Sequence, residues 1–143
     1  METVSFDNGG NDDVIYLNDD DIFMDGINAY GIFYLKVSKK KFWSKWSRRV
    51  FIFTPRGIRF WKQINKKRKK SKYVHFFSNV SISGLENVVE NGVNYLTFQI
   101  IHYKNRYIQK VYTLKSYNID SFSSFYKMID NRINNKSFNN YID

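Results

Sequence analysis

The spacing of hydrophobic residues changes once along this chain, and that change constrains the fold more than any other feature. From Tyr30 to Leu114 the apolar residues alternate with polar ones in short runs, which is the period of a half-buried β-strand. Further along they recur at the spacing of one helix face, at Ile119, Phe122, Phe125, Tyr126, Ile129 and Ile133. We therefore expect antiparallel strands followed by one amphipathic C-terminal helix, which Ser116 or Asn118 can cap.

Turn-forming residues divide the alternating region into about seven short strands. Residues 54–57 place Pro and Gly at turn positions, and Asn91-Gly92 is the strongest hairpin signal in the chain. A further hairpin is expected around Lys104-Asn105, and the lysine-rich residues 39–45 and 66–72 are predicted to be loops. The expected fold is mainly β, a seven-stranded antiparallel barrel or sandwich whose open end is covered by the helix.

Charge separates the start of the chain from the rest. The first 30 residues contain eight acids and no base, whereas residues 31–143 contain all 23 Lys and Arg against five acids, which leaves them at +18. This pattern predicts a flexible acidic leader at residues 1–28, a folded domain at 29–134 and a polar tail at 135–143. A domain this basic is expected to have an anionic partner such as phosphate, a lipid headgroup or nucleic acid.

Several function classes find no support in the composition. The absence of Cys rules out disulfides, thiolate nucleophiles and Cys-ligated zinc. The two histidines, His75 and His102, stand in strand-like contexts without metal-ligand spacing, and no Gly-rich phosphate loop precedes the helix. No apolar run reaches the roughly 20 residues of a membrane span, and the N-terminus is not that of a secretory signal. We therefore expect no catalytic residues, metal or cofactor, and a cytoplasmic location.

Two strand-like motifs, one beginning with Gly31 and one beginning with Trp46, precede the predicted helix. Residues 31–37 read GIFYLKV, and after the first lysine-rich stretch residues 46–53 read WSRRVFIF. Phe125 and Ile129 follow within the helix. In this order the chain resembles the pleckstrin homology (PH) domain family over about residues 29 to 134, with Phe125 in place of the family's helix Trp. The resemblance implies a PH-like barrel or sandwich of seven strands capped by one helix.

The resemblance also implies where a ligand binds. In such a fold the first–second and third–fourth strand loops lie side by side at the open end, and in this chain both are basic. Lys36 and Arg49 match the motif of the phosphoinositide-binding members, whereas Ser47 stands where a further base is usual. The predicted headgroup-binding residues are Lys36, Lys39, Lys40, Lys41, Lys45, Arg48, Arg49, Lys62, Lys67, Arg68 and Lys70. The planar guanidinium of Arg49 is expected to hold a phosphate in bidentate geometry.

Phe42 and Trp43 interrupt the first lysine-rich stretch, where a core position is not expected. They are predicted to insert at the level of the headgroups, and the alternative is that one of them packs on its own loop. The acidic leader suggests two further alternatives: it competes with phosphate for the basic residues, or it is a solvated tail.

Together these features predict a non-catalytic, peripheral membrane-targeting module on the cytosolic face of a membrane. It is expected to bind anionic phospholipid headgroups, with phosphoinositides and phosphatidic acid as candidate ligands. The alternatives are a PH-type scaffold that binds a protein partner, and a nucleic-acid-binding domain that stacks bases on its aromatic residues.

Overall fold

The computed structural model describes residues 2–8, 11–39, 42–76 and 78–135, with the backbone alone for residues 2–8, 11–15 and 43. Within these ranges the chain forms twelve strands and one helix. The strands are β1 (Glu2–Asn8), β2 (Asn11–Leu17), β3 (Ile22–Asp25), β4 (Asn28–Lys39), β5 (Phe42–Trp43), β6 (Ser47–Thr54), β7 (Gly57–Ile64), β8 (Lys67–His75), β9 (Val80–Ile82), β10 (Glu86–Glu90), β11 (Val93–Lys104) and β12 (Tyr107–Ser116). The helix is α1 (Ile119–Asn134).

Ten of these strands form one antiparallel sheet, and β1 pairs with β2 as a separate hairpin. The main path of the sheet has seven strands in the order β10-β11-β12-β4-β6-β7-β8, while β3 and β5 pair with β4, and β9 pairs with β11. The end strands β8 and β10 do not pair with each other within the described residues, so the sheet stays open. This confirms the predicted fold class: a mainly β, antiparallel, sandwich-like domain with one C-terminal helix.

Aromatic and aliphatic side chains from the two halves of the sheet and from α1 form the main core. The period-two alternation places Phe33, Phe51 and Phe53 on the inner face, where all three are buried. From the helix, Phe125 lies with its ring centroid 4.6 Å from that of Phe51 and 5.8 Å from that of Phe53. Asn118 caps the helix by accepting a hydrogen bond from the Ser121 backbone N–H at 3.3 Å, as expected from the sequence.

The predicted leader contributes to two hydrophobic clusters. Ile22 belongs to the main core, and β3 pairs with β4. A smaller cluster lies on the outer face of the sheet and contains Leu17, Ile32, Val50 and Trp61, all essentially inaccessible to solvent. The apolar patches of residues 14–17 and 22–24 are too short to predict an element by periodicity. Leu17 and Ile22 are buried against residues that lie elsewhere in the chain. The division of the chain into leader, domain and tail stays a prediction.

The prediction that residues 66–72 form a basic loop is wrong. Most of this stretch belongs to β8, an edge strand whose first six residues are all exposed. With no apolar residue before Tyr73, the strand has no alternation that a sequence could reveal. A run of lysines suits this position, because charged edge strands resist pairing with a second chain. A register shift opposite Phe60–Lys62 and a φ of 53° at Lys70 mark a bulge that twists the edge further.

Hairpin turns connect neighbouring strands through residues with left-handed backbone. Asn91 and Gly92 have φ of 52° and 75°, which is the signature of a two-residue type I′ turn. Asn65 and Lys66, with φ of 50° and 64°, make a similar turn between β7 and β8. Asn105, with φ of 58°, stands in the turn between β11 and β12. The predicted hairpins at Asn91-Gly92 and Lys104-Asn105 are therefore confirmed.

Candidate functional site

Three strand connections meet at one end of the sheet. Strand β6 begins beside the last part of β4, and β7 ends where β8 begins, so the β4–β6 and β7–β8 connections lie together. Strand β12 pairs with the same part of β4, with Val111 opposite Ser38, which brings the β11–β12 connection to this end as well. We call the described residues among 36–49, 62–72 and 104–110 the basic end.

The basic end concentrates positive charge without compensation from its own sequence. Its three ranges contain seventeen of the 23 Lys and Arg residues and no Asp or Glu. At the opposite end the turns and the helix carry charges of both signs, with Asp25, Glu90 and Asp130 beside Arg56, Lys127 and Arg132. The domain is therefore polarised along its strands, and such an asymmetric field orients it toward an anionic surface.

The β11–β12 connection is not part of the binding surface that the sequence predicts. Lys104, Arg106 and Lys110 lie at least 59 positions after the first lysine-rich stretch. Only the register of β12 against β4 brings them to the same end. A basic hairpin turn at Lys104-Asn105 was visible in the sequence, but its place beside β4 depends on the order of strands in the sheet.

Arg49 is half-buried at the start of β6, on the face that carries Phe51 and Phe53. Burial lowers the pKa of its guanidinium. The guanidinium donates to the hydroxyl of Ser47 and, at 3.1 Å, to the carbonyl of Arg48, and no carboxylate pairs with it within the described residues. Arg49 is thus a partly desolvated cation whose remaining donors are available to an anion.

Arg48 lies on the opposite face and already has an acidic partner. Its guanidinium forms an ion pair with the Asp19 carboxylate at 2.7 Å. Asp19 belongs to the predicted acidic leader, and Arg48 is one of the predicted headgroup-binding residues. One leader carboxylate is therefore already paired with a residue of the predicted binding set. An external anion would have to displace Asp19 before it could pair with Arg48.

Two lysines near the start of β6 lie against aromatic rings. Lys36 is half-buried with its Nζ 5.6 Å from the centroid of Trp46. Lys115 is buried, with its Nζ 4.4 Å from the Trp46 ring and 4.7 Å from that of Tyr95. Cation–π contacts at these distances hold both ammonium groups close to the surface of the sheet. Trp46 therefore has a structural role between two lysines, which its position before the second basic strand did not reveal.

The β7–β8 hairpin carries the most exposed charges. Lys67 and Lys70 are exposed, and Lys62 stands directly across from Lys69. Like charges opposite each other in neighbouring strands repel, so this arrangement is destabilising unless an anion neutralises it. The guanidinium of Arg68 lies 4.1 Å from the ring centroid of Trp61, which fixes it over the outer face of the sheet. Of the other predicted headgroup residues, Lys39 and Lys45 are exposed, and Lys40 and Lys41 lie outside the described residues.

Exposed apolar side chains share this end with the lysines. Phe42 in β5 is 81% exposed, and Tyr107 and Ile108 at the start of β12 are 79% and 59% exposed. Ile64, at the end of β7, is 41% exposed. Of the two predicted insertion residues, Phe42 thus faces solvent, and the side chain of Trp43 lies outside the described residues. Large apolar groups interspersed with lysines are typical of surfaces that enter the headgroup region of a bilayer.

Asp20, beside the Arg48–Asp19 pair, offers a test through pH. Burial raises its pKa, as do the nearby carboxylates of Asp19 and Asp21, against the opposing effects of the Tyr117 backbone and Arg48. One of its carboxylate oxygens is buried without a hydrogen-bond partner within the described residues. A raised pKa in the folded state means that the folded protein is favoured at low pH and loses stability as pH rises through that pKa.

We therefore expect Asp20→Asn to raise the melting temperature at pH 7, because the amide removes the buried charge and tolerates the local φ of 66°. The gain should shrink as pH falls from the raised pKa of the folded state toward about 4, and it should be absent below about 4, where the wild-type carboxyl is protonated in both states. Thermal unfolding followed by circular dichroism across this range measures it. Asp25→Asn, an exposed carboxylate on the neighbouring strand, is the control, and an equal gain there at pH 7 would contradict the role of burial.

Comparison with models of known protein families gives no match for this chain, and neither does comparison with curated proteins. The resemblance to PH domains therefore remains an expectation that rests on the residues quoted above. Among the described residues, no helix combines the length and the apolar character that crossing a bilayer requires.

Proposed function

We propose that this chain is a non-catalytic, peripheral membrane-targeting module that binds anionic phospholipid headgroups through the basic end, on the cytosolic face of a membrane. The observation that carries the proposal is the coincidence, at one end of the sheet, of fifteen described Lys and Arg residues, from ranges that themselves contain no acid, and four exposed apolar side chains. Phosphoinositides and phosphatidic acid are the candidate ligands, with Arg49 as the desolvated cation beside a more diffuse field of lysines.

The expected energetics combine charge and insertion. Each Lys or Arg near an anionic bilayer contributes about 1 kcal/mol, and the attraction falls off within a Debye length of about 8 Å at physiological salt. Exposed rings such as those of Phe42 and Tyr107 add an apolar contribution that salt does not screen. A surface that combines charge attraction with apolar insertion binds at physiological salt, whereas a surface with charge alone releases the membrane as salt rises.

A pair of charge variants with equal net charge tests the location of the binding surface. Lys67→Gln/Lys70→Gln removes two exposed charges from the basic end, and Arg56→Gln/Lys127→Gln removes two exposed charges elsewhere. We expect the first variant to bind vesicles containing phosphatidic acid about 30-fold more weakly than wild type, and the second to change little. Co-sedimentation at low and physiological salt measures both. Equal losses would show that net charge alone matters, and no binding by the wild type at low salt would refute the proposal.

Phe42→Ala distinguishes membrane binding from nucleic-acid binding. Loss of an inserting ring should weaken vesicle binding about fivefold, because partial burial of a Phe contributes about 1 kcal/mol. Binding of a single-stranded RNA oligonucleotide, measured in parallel, should be unchanged, because phosphate contacts dominate that affinity. Ile27→Ala, 69% exposed at the opposite end, is the matched control on vesicles. A loss of RNA binding in Phe42→Ala without a loss of vesicle binding would favour base stacking over insertion.

A further inference from the structure

A cavity of about 340 Å³ lies in the gap where the sheet fails to close. One wall is the edge strand β8, and the other is the β11–β12 hairpin together with the end of β4. The lining includes Lys39, Lys72, His75, His102, Lys110 and Tyr112. This volume falls at the lower end of the range of about 300 to 1,000 Å³ that is usual for small-molecule sites. Only Lys39 belongs to the predicted headgroup-binding set.

The lining of this cavity is cationic and contains no acid. Three lysines and two histidines contribute side chains, whereas none of the described lining residues is Asp or Glu. Lys110 is half-buried, with its Nζ 5.5 Å from the ring centroid of Tyr112. Lys39, Lys72 and Lys110 line this one cavity, and the register of β12 against β4 places Lys110 beside Lys39. Burial, followed by the positive charges of Lys72 and Lys39, lowers the pKa of Lys110. Convergent cations without a counter-charge destabilise the empty cavity and favour an anion.

We propose that this cavity binds a phosphomonoester group, with Lys39, Lys72 and Lys110 as its cationic ligands. The group can be carried by a free metabolite or by a lipid headgroup, since both present the same tetrahedral dianion. This inference stands on the cavity alone and does not require that the basic end bind membranes.

The arrangement of donors favours a phosphomonoester over other anions. A single carboxylate or a phosphodiester brings one negative charge, whereas a phosphomonoester brings between one and two at neutral pH and three terminal oxygens. Three ammonium groups on different strands can each donate to a different oxygen. Burial raises the pKa of Tyr112 to about 12, so its hydroxyl stays protonated and polar in the floor of the cavity. Ser78 also belongs to the lining.

The histidines acquire a location that the sequence did not predict. From the sequence, His75 and His102 are expected only to be strand residues without metal-ligand spacing, and they lie in β8 and β11. They are 27 positions apart in sequence yet line the same cavity from opposite walls. The imidazole of His102 has an N–H that can donate to a bound oxygen in either tautomer. In β8, His75 alternates with the buried Val74, and its ring packs edge-on against Tyr73 on the other face of the strand, with 4.3 Å between the ring centroids.

The test compares thermal unfolding of the whole chain in inorganic phosphate, glycerol 3-phosphate and chloride at equal ionic strength. Wild type should be stabilised by both phosphates relative to chloride. In Lys110→Met, which keeps the length of the side chain, the affinity for glycerol 3-phosphate should fall about tenfold to hundredfold, as expected for loss of a hydrogen bond to a charged group. The same variant should melt at a higher temperature than wild type in chloride, because it removes one of three converging charges.

Two further variants make the result specific. Lys72→Met removes a second ligand at an exposed strand position, where folding is insensitive to the change, and should lose the phosphate response as well. Lys104 is the last residue of β11, in the hairpin that also carries Lys110, and it lies outside the cavity lining. Lys104→Met should keep the phosphate response. Vesicles of phosphatidic acid and of phosphatidylserine, at equal surface charge, then identify the source of the group. If stabilisation by glycerol 3-phosphate depends on Lys110, the ligand is soluble. If only binding to phosphatidic acid vesicles depends on Lys110, the ligand is a lipid.

Equal stabilisation of the wild type by phosphate and chloride, together with no Lys110-dependent preference for phosphatidic acid, would overturn the inference. So would an equal loss of response in Lys104→Met and Lys110→Met. In either case vesicle binding through the exposed lysines of β8 can persist, so failure of the cavity and failure of membrane targeting remain distinguishable.

Discussion

Phe125→Ala should lower the free energy of unfolding by about 4 kcal/mol, the typical cost of truncating a fully buried Phe. Phe125 is inaccessible to solvent and packs against Phe51 and Phe53, the inner-face residues of β6. Removing its ring leaves a cavity between α1 and the sheet, where the helix covers the main core. Because a domain of this size is stable by only about 5 to 15 kcal/mol, the variant should be close to unfolding at physiological temperature.

Urea denaturation followed by circular dichroism measures this loss. Phe42→Ala is the matched control, since it removes the same ring from a position that is 81% exposed and should leave stability within about 0.5 kcal/mol of wild type. The two variants separate the two kinds of aromatic residue in this chain, one needed for folding and one available for binding. Similar stability of both variants would mean that α1 does not anchor the core.

Gly31→Ala should cost about 3 kcal/mol, the upper part of the range for overpacking a tight site. A Cβ at this position would meet the carbonyl oxygen of Asp21 at 2.1 Å and the Cα of Ile22 at 2.8 Å. Both obstacles are backbone atoms, so no rotamer change relieves the clash. The substitution must push β3 away from β4, and it would also disturb the hydrogen bond from the Ile32 N–H to the Asp21 carbonyl.

Gly84→Ala is the matched control for this effect, because a Cβ at Gly84 would meet nothing within 4 Å. Its melting temperature should stay close to that of wild type, while Gly31→Ala melts well below it. Thermal unfolding under identical conditions compares the two. If Gly31→Ala were as stable as Gly84→Ala, β3 would not pack tightly on β4, and the contribution of residues 16–25 to the fold would be refuted.

The elements that the sequence predicted well are those whose signals are local. The helix stripe from Ile119 to Ile133 depends on residues only three or four apart. The Asn91-Gly92 turn depends on two residues whose backbone preferences favour left-handed φ. Alternation in β4 and β6 is visible because one face of each strand is buried. In each case the side chains that define the element also provide its pattern.

The elements that the sequence missed obtain their structure from distant partners. Strand β8 exists because β7 provides its hydrogen-bonding partner, and its exposed lysines show no period of two. Strand β3 exists because Gly31 leaves room for it beside β4. Neither condition can be read within a window of ten residues.

For the candidate site, the sequence by itself determined the sign and the amount of charge, since these are properties of composition: 23 basic residues, all of them after residue 30. It also determined that Phe42 and Trp43 interrupt a lysine-rich stretch. Only the tertiary structure decided which charges act together. The pairing of β12 with β4 brings Lys110 to Lys39, and the unpaired edge of β8 leaves a gap that Lys72, His75 and His102 line. Sheet order is set by long-range hydrogen bonding and core packing, which no local pattern encodes.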